Sequence, residues 1–301
     1  MTDGLAIGID LGCTNIKGVM LDQQGNILAE QKAETKEQDD KHWKQQVVDM
    51  IGRFRKNAAH KITTIGLSAP GLADDTNNCI SFMPGRLPGL ENFNWSALVG
   101  ERVFVLNDAH AALMAEASFG AAKGMRHAVL LSLGTGIGGG ILIDGELYQG
   151  IAQMAGHIGH TTVNALGDTR DVTNMAGSIE DAFGNVSLLQ RSHGRYGSTD
   201  ELVSDFKKGD PVATWIWLSS LQKLAVTIAS TINVLSPEAI ILSGGITQAK
   251  EALLHPLQSF LALYEWRPGG KQTILKLAHF SDLAGAIGAG GFAFSRMKRL
   301  L

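Results

Sequence analysis

Glycine supplies five of the seven residues from Gly134 to Gly140, and Thr135 is the one hydroxyl among them. Gly134, Gly136 and Gly139 have the G-x-G-x-x-G spacing of dinucleotide sites, but that fingerprint must open a helix. Here Ile141-Leu-Ile-Asp144-Gly145 follows, which reads as a short strand and a turn. What survives is a Gly/Thr hairpin whose N–H groups can cradle phosphate while the hydroxyl donates to a phosphate oxygen. The competing reading is a tight turn with spare glycines. Near the N-terminus, Asp10-Leu-Gly12-Cys13-Thr14-Asn15-Ile-Lys17 sets a carboxylate at a strand end, before a small polar turn. Asp10 would repel phosphate directly but could hold Mg2+ through water, with Thr14 facing the same space. Taken alone, such an aspartate is often only a cap. Ser243-Gly244-Gly245 ends a third strand. Its glycines either leave room for a flat group such as adenine or only turn the chain into a helix.

The elements that must position these residues alternate. Leu5–Ile9, Ile16–Leu21 and the residues from Ile27 onward read as strands, with Asp22-Gln-Gln-Gly25-Asn26 as a hairpin turn. Apolar residues at helical spacing mark 41–58. Ile62–Leu67 is a buried strand ending at Ser68-Ala-Pro70-Gly71, and Val103–Leu106 another ending at Asn107-Asp108. The opening pattern returns from Ala128: strand, Gly/Thr turn, strand, Asp-plus-Gly turn. That is either an internal repeat or a likeness shared by any two hairpins. After residue 170 the chain reads as mostly helical, over 175–192 and 211–234, with a strand at Ala239–Leu242 and a final helix from Leu283 to Leu300. Alternating α and β favours a parallel or mixed sheet covered by helices.

Two Gly/Thr hairpins, a strand-end Asn-Asp and a late strand followed by Gly-Gly resemble the actin/hexokinase/Hsp70 ATPase superfamily. Within it, Ala155-Gly156-His157-Ile158-Gly159-His160 is similar to the E-x-G-H motif of the ROK family, of repressors, open reading frames and sugar kinases. Asn107-Asp108-Ala109 matches that family's catalytic pair. Ser68-Ala-Pro-Gly71 and Pro84-Gly-Arg-Leu-Pro-Gly89 match its sugar-side loops. The resemblance implies a two-lobed actin-like (ribonuclease H-like) α/β fold with mixed sheets and an interlobe cleft. Residues 1–108 plus 283–301 would form the small lobe and 109–282 the larger one. It implies ATP-dependent phosphorylation of a hexose, at the 6-hydroxyl by family habit, glucokinase-like, with Asp108 as general base. Ser68, Gly71, Asn107, His157, His160 and Glu180 would bind the sugar. Asp10, Gly12, Thr14, Asn15, Lys17, Gly134, Thr135 and Gly136 would hold phosphate and Mg2+, and Gly244 and Gly245 the nucleoside. A homodimer is expected on the same ground.

The departures are specific. Thr169 to Ser178 carries no cysteine where the family has its zinc ligands, so no zinc site is expected, because His160 alone cannot build a tetrahedral one. A polar network with Asp168 or Asp171 must order that loop instead. His157 stands where many members have glutamate; N-acetylmannosamine kinases are similar in this, and an imidazole that donates and accepts could suit an acetamido group or a plain hexose. An N-acetylhexosamine kinase and a non-catalytic sugar-binding homologue are therefore the alternatives. Arg86 replaces an asparagine and could reach an anionic or acetamido substituent, or be plain surface. Cys13 replaces a glycine and is read as packing.

Composition sets the outer bounds. At 301 residues and roughly 150 per domain, two domains are expected. Glycine is 36 of those residues, against about 7% in average usage, which makes its placement informative. A net charge of −3 gives no basic footprint for nucleic acid. Repressor members add a helix-turn-helix domain before the first hairpin, which here begins at Leu5. No run of about 18 apolar residues suggests a membrane span, and Met1-Thr2-Asp3-Gly4 lacks the basic start of a signal peptide; a cytoplasmic enzyme is expected. Two cysteines, Cys13 and Cys79, exclude a disulfide scaffold. Seven histidines outside any motif, His110 among them, are read as surface or satisfied core, and Trp215 and Trp217 as packing.

Overall fold

The computed structural model describes residues 4–167, 169–171 and 173–300, the last by its main chain only. Two compact units result. One takes the chain up to Met125, Ile141–Ala155 and the segment from Ala278 onward; the other takes Arg126–Gly140 and Gly156–Leu277.

The chain begins β1 (Leu5–Leu11), β2 (Asn15–Leu21), β3 (Ile27–Glu34), α1 (Asp40–Asn57) and β4 (Ile62–Ala69). β5 (Leu72–Ala73), β6 (Ile80–Phe82), α2 (Trp95–Val99), β7 (Val103–Asn107) and α3 (Asp108–Phe119) follow. Then come β8 (Ala128–Leu133), β9 (Ile137–Ile143), β10 (Glu146–Tyr148), α4 (Ile179–Phe183), α5 (Leu188–Arg191) and α6 (Thr199–Lys207). α7 (Pro211–Leu235), β11 (Ala239–Ser243), α8 (Glu251–Tyr264), β12 (Ile274–Leu277) and α9 (Ala284–Leu300) complete it.

The first sheet has the order β3-β2-β1-β4-β7 and the second β10-β9-β8-β11-β12. In the first, β1, β2 and β3 are antiparallel neighbours while β4 and β7 run parallel to β1. In the second, β10 is antiparallel to β9, and β8, β11 and β12 are parallel. The two orders correspond strand for strand, so the hairpin likeness between residues 5–25 and 128–145 extends to whole sheets.

β1 is buried on both faces and reads as a near-continuous apolar run, as a central strand must. α1 lays Trp43, Val47, Met50, Ile51 and Phe54 on one face of this sheet. Asp39 caps that helix by accepting the His42 N–H at 3.0 Å. α9 covers the other face, and glycine sets its approach. A Cβ on Gly8 would lie 1.9 Å from the Ala286 carbonyl oxygen, and one on Gly66 2.0 Å from that of Ala289.

Two expectations shift. The first unit does not stop at Asp108: α3 belongs to it because α3 packs on α9, where a Cβ on Gly288 would lie 1.6 Å from the Ala111 oxygen. Residues 141–155 join it as well. The helix expected over 175–192 is broken into α4, a 3-10 turn at 185–187 and α5, because Asn185 and Val186 donate to the Gly134 and Thr135 carbonyls instead of continuing the helix. Trp217 is packed in the core, its Nε1 donating to the Ala252 oxygen at 2.9 Å, whereas Trp215 is 67% exposed. α7 is long and apolar enough by length and composition to cross a membrane, although Ile216, Leu221, Leu224 and Ile228 on it are buried in the second unit.

Candidate active site

β7 delivers Asn107 and Asp108 to the start of α3. Asn107 caps the helix: its Oδ1 accepts the Ala109 N–H at 2.9 Å and the His110 N–H at 3.3 Å, while its Nδ2 donates to the Gly71 oxygen at 2.8 Å. The oxygen of this buried amide thus holds the start of α3, and its nitrogen holds the Gly71 loop. Asp108 follows, solvent-accessible, with Oδ1 accepting the Ala109 N–H at 2.8 Å. Desolvation by the protein mass around it, together with the Asp10 charge, pushes its carboxyl up to about 6, against the lowering effect of these hydrogen bonds. His110 is fully buried, its Nε2 2.8 Å from the Ala155 oxygen, and burial holds its imidazole below the ordinary range.

β1 brings Asp10 beside Ser68 in the sheet register. Ser68 Oγ donates to Asp10 Oδ1 at 2.5 Å. Burial raises the Asp10 carboxyl; the Ser68 bond and the Lys17 charge oppose that rise. Ser68 is therefore fully buried behind Asp10 and serves it directly. A Cβ on Gly285 would lie 2.5 Å from Asp10 Oδ1 and 2.8 Å from Ser68 Oγ, so the start of α9 closes on the same carboxylate. Gly12 donates to the Asn15 oxygen at 3.0 Å, Thr35 to the Thr14 oxygen at 2.8 Å, and Thr35 Oγ1 to the Gly12 oxygen at 2.7 Å. Thr14 is left exposed at the turn. Lys17 is turned to the carboxylate of Asp282 and donates to its backbone oxygen at 3.0 Å.

Arg86 is paired with Glu37. The Arg86 Nε donates to Glu37 Oε1 and Nη2 to Oε2 at 3.0 Å, while the Leu87 N–H reaches the same carboxylate at 3.3 Å. Nothing in the spacing of residues 37 and 86 announces the pair; Gly285 could have been found as a glycine in the first turn of the last helix.

In the second unit, Gly134 N–H donates to the Gly136 oxygen at 3.0 Å, and the Gly134 and Thr135 carbonyls accept from Asn185 at 3.0 Å and Val186 at 2.9 Å. This fixes the turn with Thr135 exposed. Buried Glu180 sits against it, accepting the Ile137 N–H at 2.9 Å, and a Cβ on Gly136 would meet Glu180 Oε2 at 2.2 Å. Not every glycine of the run faces outward. A Cβ on Gly139 would lie 2.6 Å from the Gly156 oxygen, and one on Gly159 2.0 Å from that of Ile137, so part of the run exists to seat the 156–160 turn. Gly134 and Gly245 instead present bare backbone to open space, and Gly244, at φ +90°, packs against Leu133.

His157 and His160 stack with ring centroids 6.3 Å apart and planes 7° from parallel. Asp171 orders the loop that lacks cysteines. It accepts Thr173 Oγ1 at 2.7 Å, Thr173 N–H at 2.9 Å and Met175 N–H at 3.0 Å, and lies 3.3 Å from His160 Nδ1. Burial works against its charge, but bonds from Thr173, Met175, Ser178 and His160 prevail and hold it at about 2. Thr173 Oγ1 already donates to Asp171, so His160 Nδ1 is left as a donor to this cluster. Asp168 lies outside the described residues.

A sequence profile of the ROK family matches residues 6–295. The chain is 27% identical to a glucokinase of Streptomyces coelicolor, over 94% of its own length and 96% of the relative's. It is 28% identical to the xylose repressor of Bacillus spizizenii, over 85% of this chain and 68% of that one. Among solved structures it resembles a ROK family glucokinase from Streptomyces griseus in complex with glucose and AMPPNP: TM-score 0.75, 26% identity, 97% of this chain and 100% of that one.

Proposed function

The chain belongs to the ROK family, and from that premise we propose that it is an ATP-dependent sugar kinase acting on the 6-hydroxyl of a hexose, in the manner of a glucokinase. The observation that carries the reading is Asp108: a carboxylate open to solvent, set at a helix start, with its carboxyl raised to about 6. A base is most effective when its pKa lies near the working pH. Asp108 takes the proton from the acceptor hydroxyl as the new O–P bond forms, the bond to the leaving phosphate breaks and ADP departs. Asn107 acts on the sugar indirectly, by holding Gly71. His157, His160 and Glu180 bind its other hydroxyls.

The residues present fit ATP and Mg2+. Carboxylate oxygen suits a hard cation, and the bare backbone at Gly134 and Gly245 leaves the space that phosphate and a nucleoside need. Asp10 would hold Mg2+ through water, with Gly12, Thr14, Thr135 and Gly136 at the phosphates and Gly244 and Gly245 at the nucleoside. Mg2+ supplies charge neutralisation of the transferring group. A second reading, an N-acetylhexosamine kinase, is favoured by His157, whose imidazole stacks on that of His160. A homodimer and a cytoplasmic location belong to the same proposal; light scattering on the purified chain tests the first.

The test is ADP release with Mg·ATP against glucose, mannose, fructose, allose, N-acetylmannosamine and N-acetylglucosamine, with Asp108→Asn as control. Turnover of one sugar that is lost in Asp108→Asn supports the kinase. Silence across the panel with ATP still bound would move the reading to a non-catalytic sugar sensor.

A further inference from the structure

A ring of contacts in the first unit leads from Asp108 round to Arg86 and back. Asn107 holds the Gly71 oxygen at 2.8 Å. Gly71, at φ +98°, packs on residues 82 and 83, where a Cβ would lie 2.5 Å from the Phe82 oxygen. The chain then turns through Gly85 and Leu87, both at positive φ, and Leu87 is a buried non-glycine residue at +46°. Arg86 and the Leu87 N–H close on Glu37. Thr35, two residues earlier, is bonded to both sides of the Gly12–Thr14 turn. That turn follows Asp10, which bonds Ser68, and Ser68 and Ala69 pair with β7 beside Asn107. The Cys13 thiol, in the Gly12–Thr14 turn, interacts electrostatically with Arg86, Glu37 and Asp108.

A cation on this wall would attract an anionic acceptor. Its two-pronged pairing with Glu37 cancels that charge, because a guanidinium and a carboxylate match in shape as well as sign. The arginine side chain is 52% exposed and that of the glutamate 20% exposed, so the pair meets solvent.

We propose that the Glu37–Arg86 pair sets the charge selectivity of the acceptor site, keeping it for neutral sugars and against sugars bearing a carboxylate, sulfate or phosphate. This rests on the sugar-kinase reading above. The two members of the pair have opposite effects. Removing the carboxylate leaves an uncancelled cation that recruits anions. Removing the guanidinium leaves an uncancelled carboxylate that repels them further.

The experiment compares kcat/KM for N-acetylglucosamine with N-sulfoglucosamine, N-acetylmannosamine with N-sulfomannosamine, and glucose with glucose 3-sulfate. Wild type, Glu37→Gln and Arg86→Gln are measured at matched ionic strength. Glu37→Gln keeps an oxygen for the Leu87 N–H, which guards the loop. The neutral-to-anionic ratio is expected to fall about tenfold in Glu37→Gln and to rise in Arg86→Gln, with the Glu37→Gln effect shrinking as salt is added. A loop-folding role alone would move both variants the same way and leave the ratio unchanged. If a neutral sugar turns over and the ratio stays put or moves alike in both variants, the pair has no such role and the kinase reading stands. If no sugar turns over in wild type, both readings fall together.

Discussion

Asp108 meets two opposed demands, since a base must be ionised to accept a proton and yet basic enough to hold it. With its carboxyl raised to about 6, the ionised form dominates at neutral pH and is lost as the pH falls through that value. The acid limb of log kcat/KM for the sugar should therefore rise with unit slope and level off near pH 6. A profile flat from pH 5 to 8 would remove Asp108 as the base. Asp108→Asn should lower kcat by about 10²- to 10⁴-fold, while equilibrium dialysis finds ATP binding nearly unchanged. Asp171 is shifted the other way, to about 2. Its contribution to stability is complete above the unfolded value of about 3.9 and disappears as the pH falls through its folded value. Asp171→Asn should accordingly destabilise at neutral pH, by about 1.5–3 kcal/mol for lost hydrogen bonds to a charged acceptor. Denaturant melts measure that loss, and faster amide exchange at Thr173 and Met175 locates it.

Helix α9 shows how an element places a site without supplying its chemistry. Its glycines meet different neighbours, and the outcome of filling each one differs accordingly. At Gly288 the obstacle is backbone, 1.6 Å away at the Ala111 oxygen. Gly288→Ala should cost more than 3 kcal/mol despite the roughly 1 kcal/mol gained in helix propensity, visible as a large drop in Tm. At Gly285 the obstacle is the Asp10 carboxylate with Ser68 behind it. Gly285→Ala should displace Asp10 and raise KM for Mg·ATP about tenfold with a much smaller fall in Tm. Equal Tm losses with KM untouched would mean that Gly285 serves packing alone. The elements most legible in the sequence were those whose signal is local: β1 and β2 around their Gly-Cys-Thr turn, β8 and β9 around theirs, the apolar stripe of α1, and the small-residue α9. The Asp22 turn behaves likewise, its carboxylate accepting the Gln24 and Asn26 N–H groups at 2.9 Å each. The positions of Asp10, Asp108, the Gly134 turn and the 156–160 turn followed from these. What stayed hidden depends on partners distant in sequence. Arg86 looked available to substrate until Glu37 appeared opposite it, 49 residues away. Lys17 meets Asp282 across 265 residues. Asn107 and Ser68 have the types of sugar-binding residues, but a residue type does not reveal that its bonds are already made inside the protein.

On the scale of the whole chain, the first unit is assembled from its two ends. Ala286, Ile287, Ala289, Phe292 and Ala293 of α9 are buried there, against Val19, Leu21, Phe104, Leu106, Ala111 and Ala115. The strands that meet α9 carry glycine at Gly8 and Gly66, leaving a furrow in the sheet that only a helix backbone fills. Without the C-terminal segment, one face of β1 and β4 would be bare apolar surface lined by backbone, and most of the hydrophobic stabilisation of that face would be lost. The second unit draws its core from Ala128–Leu133, α7, β11 and α8, none of which lies in the segment from Ala278 onward. Folding of the first unit therefore waits for the last residues of the chain, whereas the second has no such dependence. A chain ending at Leu277 should keep cooperative melting and amide protection across β8, β11 and α7 but lose them across β1, β4 and β7. Adding a peptide of residues 278–301 should restore protection in those three strands. Equal protection in both sets of strands without the peptide would show that the N-terminal sheet holds its fold by α1 alone.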